Sequence, residues 1–147
     1  ERTVPDFIFH STSSGGTQSG LVAGCILHGL ATRVIGISAD TPAGEMKAIV
    51  RTLLGGIAER LGLEPETFAR AREIEVDDLF VGDGYGIPTT ASRDAADLLA
   101  RTEALVVDQT YTAKALAGLI AYVREGWFRD SDTVMFWHTG GQVAIFA

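Results

Sequence analysis

An apolar run, Phe7-Ile8-Phe9, passes through the Ser/Gly-rich stretch His10–Gly20 into a helical pattern of apolar residues beginning at Leu21. This unit of strand, loop and helix recurs along the chain and constrains the fold more than any other feature. Val4–Phe9 reads as a strand, and Thr17–Leu30 as a helix with Gly29 as its stop signal. Arg33–Ser38 suits a buried parallel strand. Asp40-Thr41-Pro42 opens the clearest amphipathic helix, Pro42–Leu61, which Gly62 ends. A short helix around Glu64–Phe68 and a half-exposed edge strand over Arg72–Val76 follow. Helices are expected at Thr89–Arg101, with Ala91, Ala95, Leu98 and Leu99 inward, and at Thr112–Glu125, with Leu116, Leu119, Ile120 and Val123 buried. Strands are expected at Ala104–Val107 and Thr133–Trp137, and an apolar helical turn at the end of the chain.

This alternation predicts an α/β fold: an open, mainly parallel twisted sheet with helices on both faces, in three αβα layers. Right-handed crossovers put the strand-to-helix loops on one edge, where ligands of such folds bind. The loops at 10–20, 77–88, 108–112 and 138–141 should therefore converge, and they are rich in Gly, Ser, Thr, Tyr and Asp. The first loop is suited to an anion. Glycines let backbone N–H groups approach closely, the helix start adds unpaired donors, and Ser13, Ser14 and Thr17 offer hydroxyls. A bland Ser/Gly linker is the competing reading of the loop taken alone.

With 147 residues, 46% of them hydrophobic, the chain suits a single domain, 1–147. The formal charge of -7, with scattered Lys and Arg, argues against nucleic acid or an anionic membrane as partner. No apolar run is long enough to span a bilayer, and a cytoplasmic location is the expectation. Cys25, the one cysteine, reads as a packing residue, and His10, His28 and His138 lack metal-ligand spacing. The glycine loop lacks the Gly-Lys-Ser/Thr ending of a nucleotide P-loop and departs from Gly-x-Gly-x-x-Gly, and no Gly-x-Ser-x-Gly elbow is present. The chain opens without an initiator Met and runs at once into a strand, so it reads as part of a longer product.

Four motifs stand in register: Ser13-Ser14-Gly15-Gly16-Thr17-Gln18-Ser19-Gly20-Leu21; Gly84-Tyr85-Gly86-Ile87-Pro88; Asp108–Ala115 with Gly118-Leu119-Ile120; and His138-Thr139-Gly140-Gly141. In this order and spacing the chain resembles the carboxyl-terminal half of the 1-aminocyclopropane-1-carboxylate deaminase and D-cysteine desulfhydrase family, pyridoxal-phosphate enzymes of the tryptophan-synthase-β type. The resemblance implies most of the large domain of a fold-type II enzyme, with pyridoxal 5'-phosphate as cofactor and a small amino acid as substrate. It implies a cofactor-phosphate seat at Ser13, Ser14, Gly15, Gly16, Thr17 and Gln18, with Gly15, Gly16 and Thr17 as principal donors. Tyr85 would face the substrate, Tyr111 would lie beside the ring able to exchange a proton, and Thr112 would meet the pyridine nitrogen. A hydroxyl there resembles the desulfhydrase branch, where the deaminase branch is acidic; a neutral partner leaves the ring a weaker electron sink, suited to β-elimination.

The chain departs from the family pattern at Thr110, where Pro is usual, at Ala113, where Gly is usual, and at Thr89, where Asn is usual. The last bears on expected substrate specificity. The anchoring lysine and the carboxylate-binding Ser/Asn loop belong to the family's amino-terminal half, so a missing half or partner chain is implied, and neither Lys47 nor Lys114 is placed to replace that lysine. The chain alone is therefore expected to be inactive, and a homo-oligomer is expected. The rival readings are a non-catalytic anion- or nucleotide-binding domain and a Rossmann-type oxidoreductase domain.

Overall fold

Strand β1 (Phe7–Thr12) is buried along its whole length because it is hydrogen-bonded on both edges and covered on both faces. The computed structural model describes residues 3–64, 66–69, 73–141 and 143. After β1 come α1 (Gly16–Leu27), β2 (Arg33–Ser38), α2 (Ala43–Leu61), α3 (Glu66–Ala69), β3 (Glu75–Asp77), α4 (Thr90–Glu103), α5 (Thr112–Arg124) and β4 (Val134–Phe136). The strands form one parallel sheet in the order β3-β2-β1-β4. β1 and β2 pair over six residues, from Phe7 with Arg33 to Thr12 with Ser38, while β3 and β4 each pair over three.

Alternation along the strands separates two cores. Phe7, Phe9, Ile35 and Ile37 face Ala115 of α5, with Tyr122 and Phe128 closing the cluster. α4 packs outside α5 through Ala95, Leu116 and Ala117. The opposite face takes α1 and α2, whose Ala23, Met46, Val50, Leu54 and Ala58 join Phe68 and Ile74. The expected three-layer arrangement is thus present. The β2–β3 edge is tied by Arg33, whose Nε and Nη2 donate to the two Glu75 carboxylate oxygens at 2.8 and 2.6 Å. That hydrogen bond raises the Arg33 pKa, against the effect of burial.

Turn chemistry sets the helix ends. Gly62 closes α2 in the left-handed region, with φ 65. Thr89 opens α4 in a capping box with Ser92: the Thr89 hydroxyl accepts from Ser92 N at 3.0 Å, and Thr89 N donates to Ser92 Oγ at 2.9 Å. Asn and Thr are both N-capping residues, so the departure at Thr89 has a local structural explanation in the cap.

Three expectations need correction. Ala104–Val107 is not a strand: Ala104 turns left-handed at φ 55 to end α4, and the bond to the Val106 carbonyl comes from the His138 side chain at 3.0 Å rather than from a strand ladder. Ala91 and Leu98 are exposed because α4 meets α5 chiefly through Ala95, and Val123 is exposed at 57% because α5 enters the core by its first half. There, Thr112 to Gly118 are all buried, including Lys114, so position in the layers overrides the apolar stripe. The edge strand is β3, Glu75–Asp77, shorter than expected; Arg72, Pro65 and the terminal helical turn (with only residue 143 described) lie outside the described residues.

Gly36 and His10 occupy one register pair under α1. A Cβ at Gly36 would fall 2.4 Å from Gln18 Oε1, while Gln18 Nε2 donates to the Glu75 carbonyl at 2.7 Å. His10 is fully buried; its Nδ1 donates to the Ser11 carbonyl at 2.8 Å, and its Nε2 has no hydrogen-bond partner. Burial pushes its pKa down to about 4, with the Ser11 bond opposing.

Two predictions result. Gly36→Ala should destabilise the fold by about 1–3 kcal/mol in urea unfolding, and the cost should shrink in a Gln18→Ala background. For His10, the unfolded chain binds the proton at higher pH than the folded one. Its contribution to stability is therefore intact above pH 6.5 and is lost as pH falls toward about 4. His10→Gln should remove about 3 kcal/mol of that pH dependence, read as the difference in urea midpoints between variant and parent across pH 7 to 4.

Candidate functional site

At the carboxyl end of β1 the chain must reverse into α1, and Gly15 makes the turn as the N-cap at φ 76, ψ -10. A Cβ here would lie 3.0 Å from Ile49 and 3.3 Å from Val50, so α2 also requires glycine at this position. The first helical acceptor is Gly15 O, which takes Ser19 N at 2.9 Å and Ser19 Oγ at 2.6 Å. The N–H groups of Gly16, Thr17 and Gln18 thus have no acceptor within the helix, and the first turn holds no acidic residue. An open cavity of about 210 Å³ lies in front of them, lined by Ser11, Thr12, Ser13, Ser14, Gly15, Thr17, Tyr111 and Thr139. Ser11 is only 8% exposed and its Oγ has no partner. A buried hydroxyl without a partner beside a helix N-terminus is the local chemistry of an anion seat.

The expected site residues divide. Ser13, Ser14, Gly15, Thr17 and Tyr111 line the cavity, with Gly16 at the start of the helix behind them. Ser13 gives its proton to Asp40 Oδ2 at 3.0 Å, so its oxygen faces a site whose donors are chiefly Ser11, Ser14, Thr17 and the helix N–H groups. Gln18 turns its amide into the core, leaving only its N–H for a ligand. Thr112 is 1% exposed and does not line the cavity. Its hydroxyl donates to Asp108 Oδ2 at 2.6 Å and lies 3.5 Å from the Gly140 carbonyl. A Cβ at Gly141 would stand 2.7 Å from Asp108 N, so this strand of the loop passes too close for a side chain. Burial works against the Asp108 charge, but bonds from the Thr112 hydroxyl and the N–H groups of Tyr111 and Thr112 hold its carboxyl below the usual range.

Tyr85 and Tyr111 meet edge-on, with ring centroids 5.7 Å apart, and their hydroxyls share a hydrogen bond. That bond is the main reason the Tyr111 phenol is pushed up to about 12. Tyr85 remains 57% exposed at the rim, so the pair runs from the anion seat outward. Such a pair can pass one proton between two oxygens beside a ligand held at the loop.

Sequence reasoning missed Ser11, Thr12 and Thr139 as lining residues, though all three lie within stretches it singled out. The available signal for Ser11 was its place at the end of a buried strand. It also read Lys114 only as a lysine that is not the anchor. The structure buries it at 1% exposure, with Nζ donating to the carbonyls of Val81 and Gly84 at 2.8 Å each and of Ala39 at 3.4 Å.

The sequence is similar to known proteins along nearly its whole length. It is 34% identical over 140 residues to 1-aminocyclopropane-1-carboxylate deaminase of Bradyrhizobium sp. (strain ORS 278), covering 95% of this chain and 41% of that protein. It is also 34% identical over 137 residues to D-cysteine desulfhydrase of Salmonella paratyphi C (strain RKS4594), covering 93% of this chain and 40% of that one. The crystal structure of an ACC deaminase homologue superposes with a TM-score of 0.83 at 26% identity, over 97% of this chain and 41% of the other. The chain thus spans about two-fifths of the length of these relatives. Residues 1–140 match the family described as pyridoxal-phosphate dependent enzyme, and the chain belongs to that family.

Proposed function

We propose that this chain supplies the phosphate seat and the tyrosine face of a pyridoxal-phosphate enzyme that releases ammonia and a 2-oxo acid from a small amino acid, as a deaminase or desulfhydrase. The observation that carries this reading is the unpartnered Ser11 hydroxyl, buried in a cavity at the N-terminus of α1. The donor set fits a phosphate: the N–H groups of Gly16, Thr17 and Gln18, the hydroxyls of Ser11, Ser14 and Thr17, and no carboxylate lining the cavity. Bound there, pyridoxal phosphate would supply an electron-withdrawing ring that stabilises negative charge at the substrate Cα. Tyr111 borders both the seat and Tyr85, so its phenol is the group placed to donate or take a proton on the substrate side. A contact of Thr112 with the ring nitrogen belongs to the same proposal and would need the covering Gly140-Gly141 segment to give way, because Thr112 lies outside the cavity lining with its proton on Asp108.

The anchoring lysine would come from a segment equivalent to the rest of the relatives' length, in this gene product or a partner chain, and association of copies would cover what that segment leaves open. No helix among the described residues is long and apolar enough to cross a membrane; a cytoplasmic enzyme is the corresponding proposal. A nucleotide-binding or oxidoreductase domain is not favoured by relatives named as a deaminase and a desulfhydrase.

Two outcomes test the reading in the full protein. Ser11→Ala should weaken pyridoxal phosphate binding by about 10- to 100-fold in calorimetry while leaving pyridoxal, which lacks the phosphate, unchanged; equal losses for both would refute the phosphate seat. Tyr111→Phe should lower kcat for ammonia release by about 10²- to 10⁴-fold with cofactor affinity preserved.

A further inference from the structure

Lys114 poses a physical problem that packing does not solve. Its neighbours Ala113, Ala115 and Leu116 are buried, and an apolar side chain would fill the same space without desolvating an ammonium. The ammonium instead directs donors at three carbonyls from two separate segments: Ala39 just beyond β2, and Val81 and Gly84 in the loop between β3 and α4. Asp78, which accepts from Ala43 N at 2.7 Å, and Phe80, which packs against the α5 core, hold the start of that loop, and beyond Phe80 it has few other fastenings. Leu79 and Ile87 are exposed at 83% and 46%, and its own backbone bonds, Val81 N to Asp78 O and Ile87 N to Gly84 O, are long at 3.4 and 3.3 Å. Gly84, at φ 144, adopts a backbone conformation that favours glycine, and the next residue is Tyr85. Lys114 lies one helical turn after Tyr111, so a single side chain spans from the helix that carries one phenol to the loop that carries the other.

We infer that Lys114 is a positioning residue whose ammonium clamps the 78–88 loop over the site, holding Tyr85 against Tyr111. The clamp reaches the anion seat as well, because Ala39 is followed by Asp40, which accepts from Ser13 Oγ at 3.0 Å. Removing the charge frees three carbonyls and lets the loop relax toward water, while the β1–β2 ladder and the α2 face, which it does not touch, stay in place. The relevance of the clamp to catalysis rests on the proposed function, but its geometry does not.

The test reads the tyrosines directly in the full chain. Nitration by tetranitromethane at pH 8, mapped by mass spectrometry, follows the phenolate fraction of each residue. Tyr111 is held at about 12 by Tyr85, whereas Tyr122 is held at about 12 by burial and by Asp77 at the end of β3, which is not among the partners of Lys114, and serves as internal reference. Lys114→Met should speed nitration of Tyr111 by roughly tenfold or more, with Tyr122 unchanged. In Lys114→Ala, added propylammonium should restore slow nitration of Tyr111, whereas in Lys114→Met it should not, because the methionine fills the channel. Unchanged Tyr111 in a folded Lys114→Met chain would overturn the inference, and so would a parallel rise at Tyr122, which reports general loosening. If neither variant folds, the parent chain decides: slowly exchanging Lys114 ammonium protons with nuclear Overhauser contacts to Gly84 support the clamp, and rapid exchange without them overturns it. None of these readings involves cofactor or substrate. An inert Tyr111→Phe substitution in the ammonia assay would therefore count against the proposed function and leave the clamp standing.

Discussion

The parallel ladder between β1 and β2 is the constraint on which the rest of the molecule depends. Six consecutive pairs, buried on both faces, fix which side chains meet α5 and which meet α1 and α2. A one-residue slip would exchange Phe7 and Phe9 with Ile8 and His10, placing an imidazole in the aromatic core and two phenyl rings against α1. The same register brings the ends of β1 and β2 to one level. From there the loop from Ser13 into α1 and the Ala39–Asp40 turn leave side by side and become linked through Ser13.

Polar groups at this edge are satisfied in a graded way. Asp108 takes up three donors from the start of α5, Lys114 distributes its donors over three carbonyls, and Ser92 bridges Thr89 O and Gln109 Oε1 at 3.0 and 2.7 Å. Against that background Ser11 Oγ stands out as buried without a partner and bordering an open cavity. His10 Nε2 and Gln18 Oε1, also without partners, do not line that cavity. Burial beside open space and helix N–H groups is what separates a ligand seat from a core imperfection.

Much of the fold was legible because short-range rules and tertiary needs agree. Gly62 and Gly126 end their helices at φ 65 and 72, Pro42 caps α2, and the 3.6-residue pattern of Met46, Val50, Leu54 and Ala58 faces inward throughout. Legibility failed where position in the layers overrode pattern. Ala104–Val107 has strand-like composition yet takes part in no ladder, and Val123 lies on an apolar stripe but is exposed. Within the site, loop composition singled out the stretch that borders the cavity, but it could not tell that Gln18 points into the core, that Ser13 is committed to Asp40, or that Thr112 is covered by Gly140 and Gly141.

The sequence by itself determined the α/β alternation, the edge at which the loops gather, the glycine- and hydroxyl-rich character of the first loop and, through four motifs in register, the family. These are properties of local backbone preference and of residue order, which a linear chain displays. Only the tertiary structure decided which hydroxyl lacks a partner, which phenols touch, and which carbonyls Lys114 meets. Hydrogen bonds between residues 30 to 75 positions apart depend on how helices pack across a sheet, and no local pattern specifies that packing.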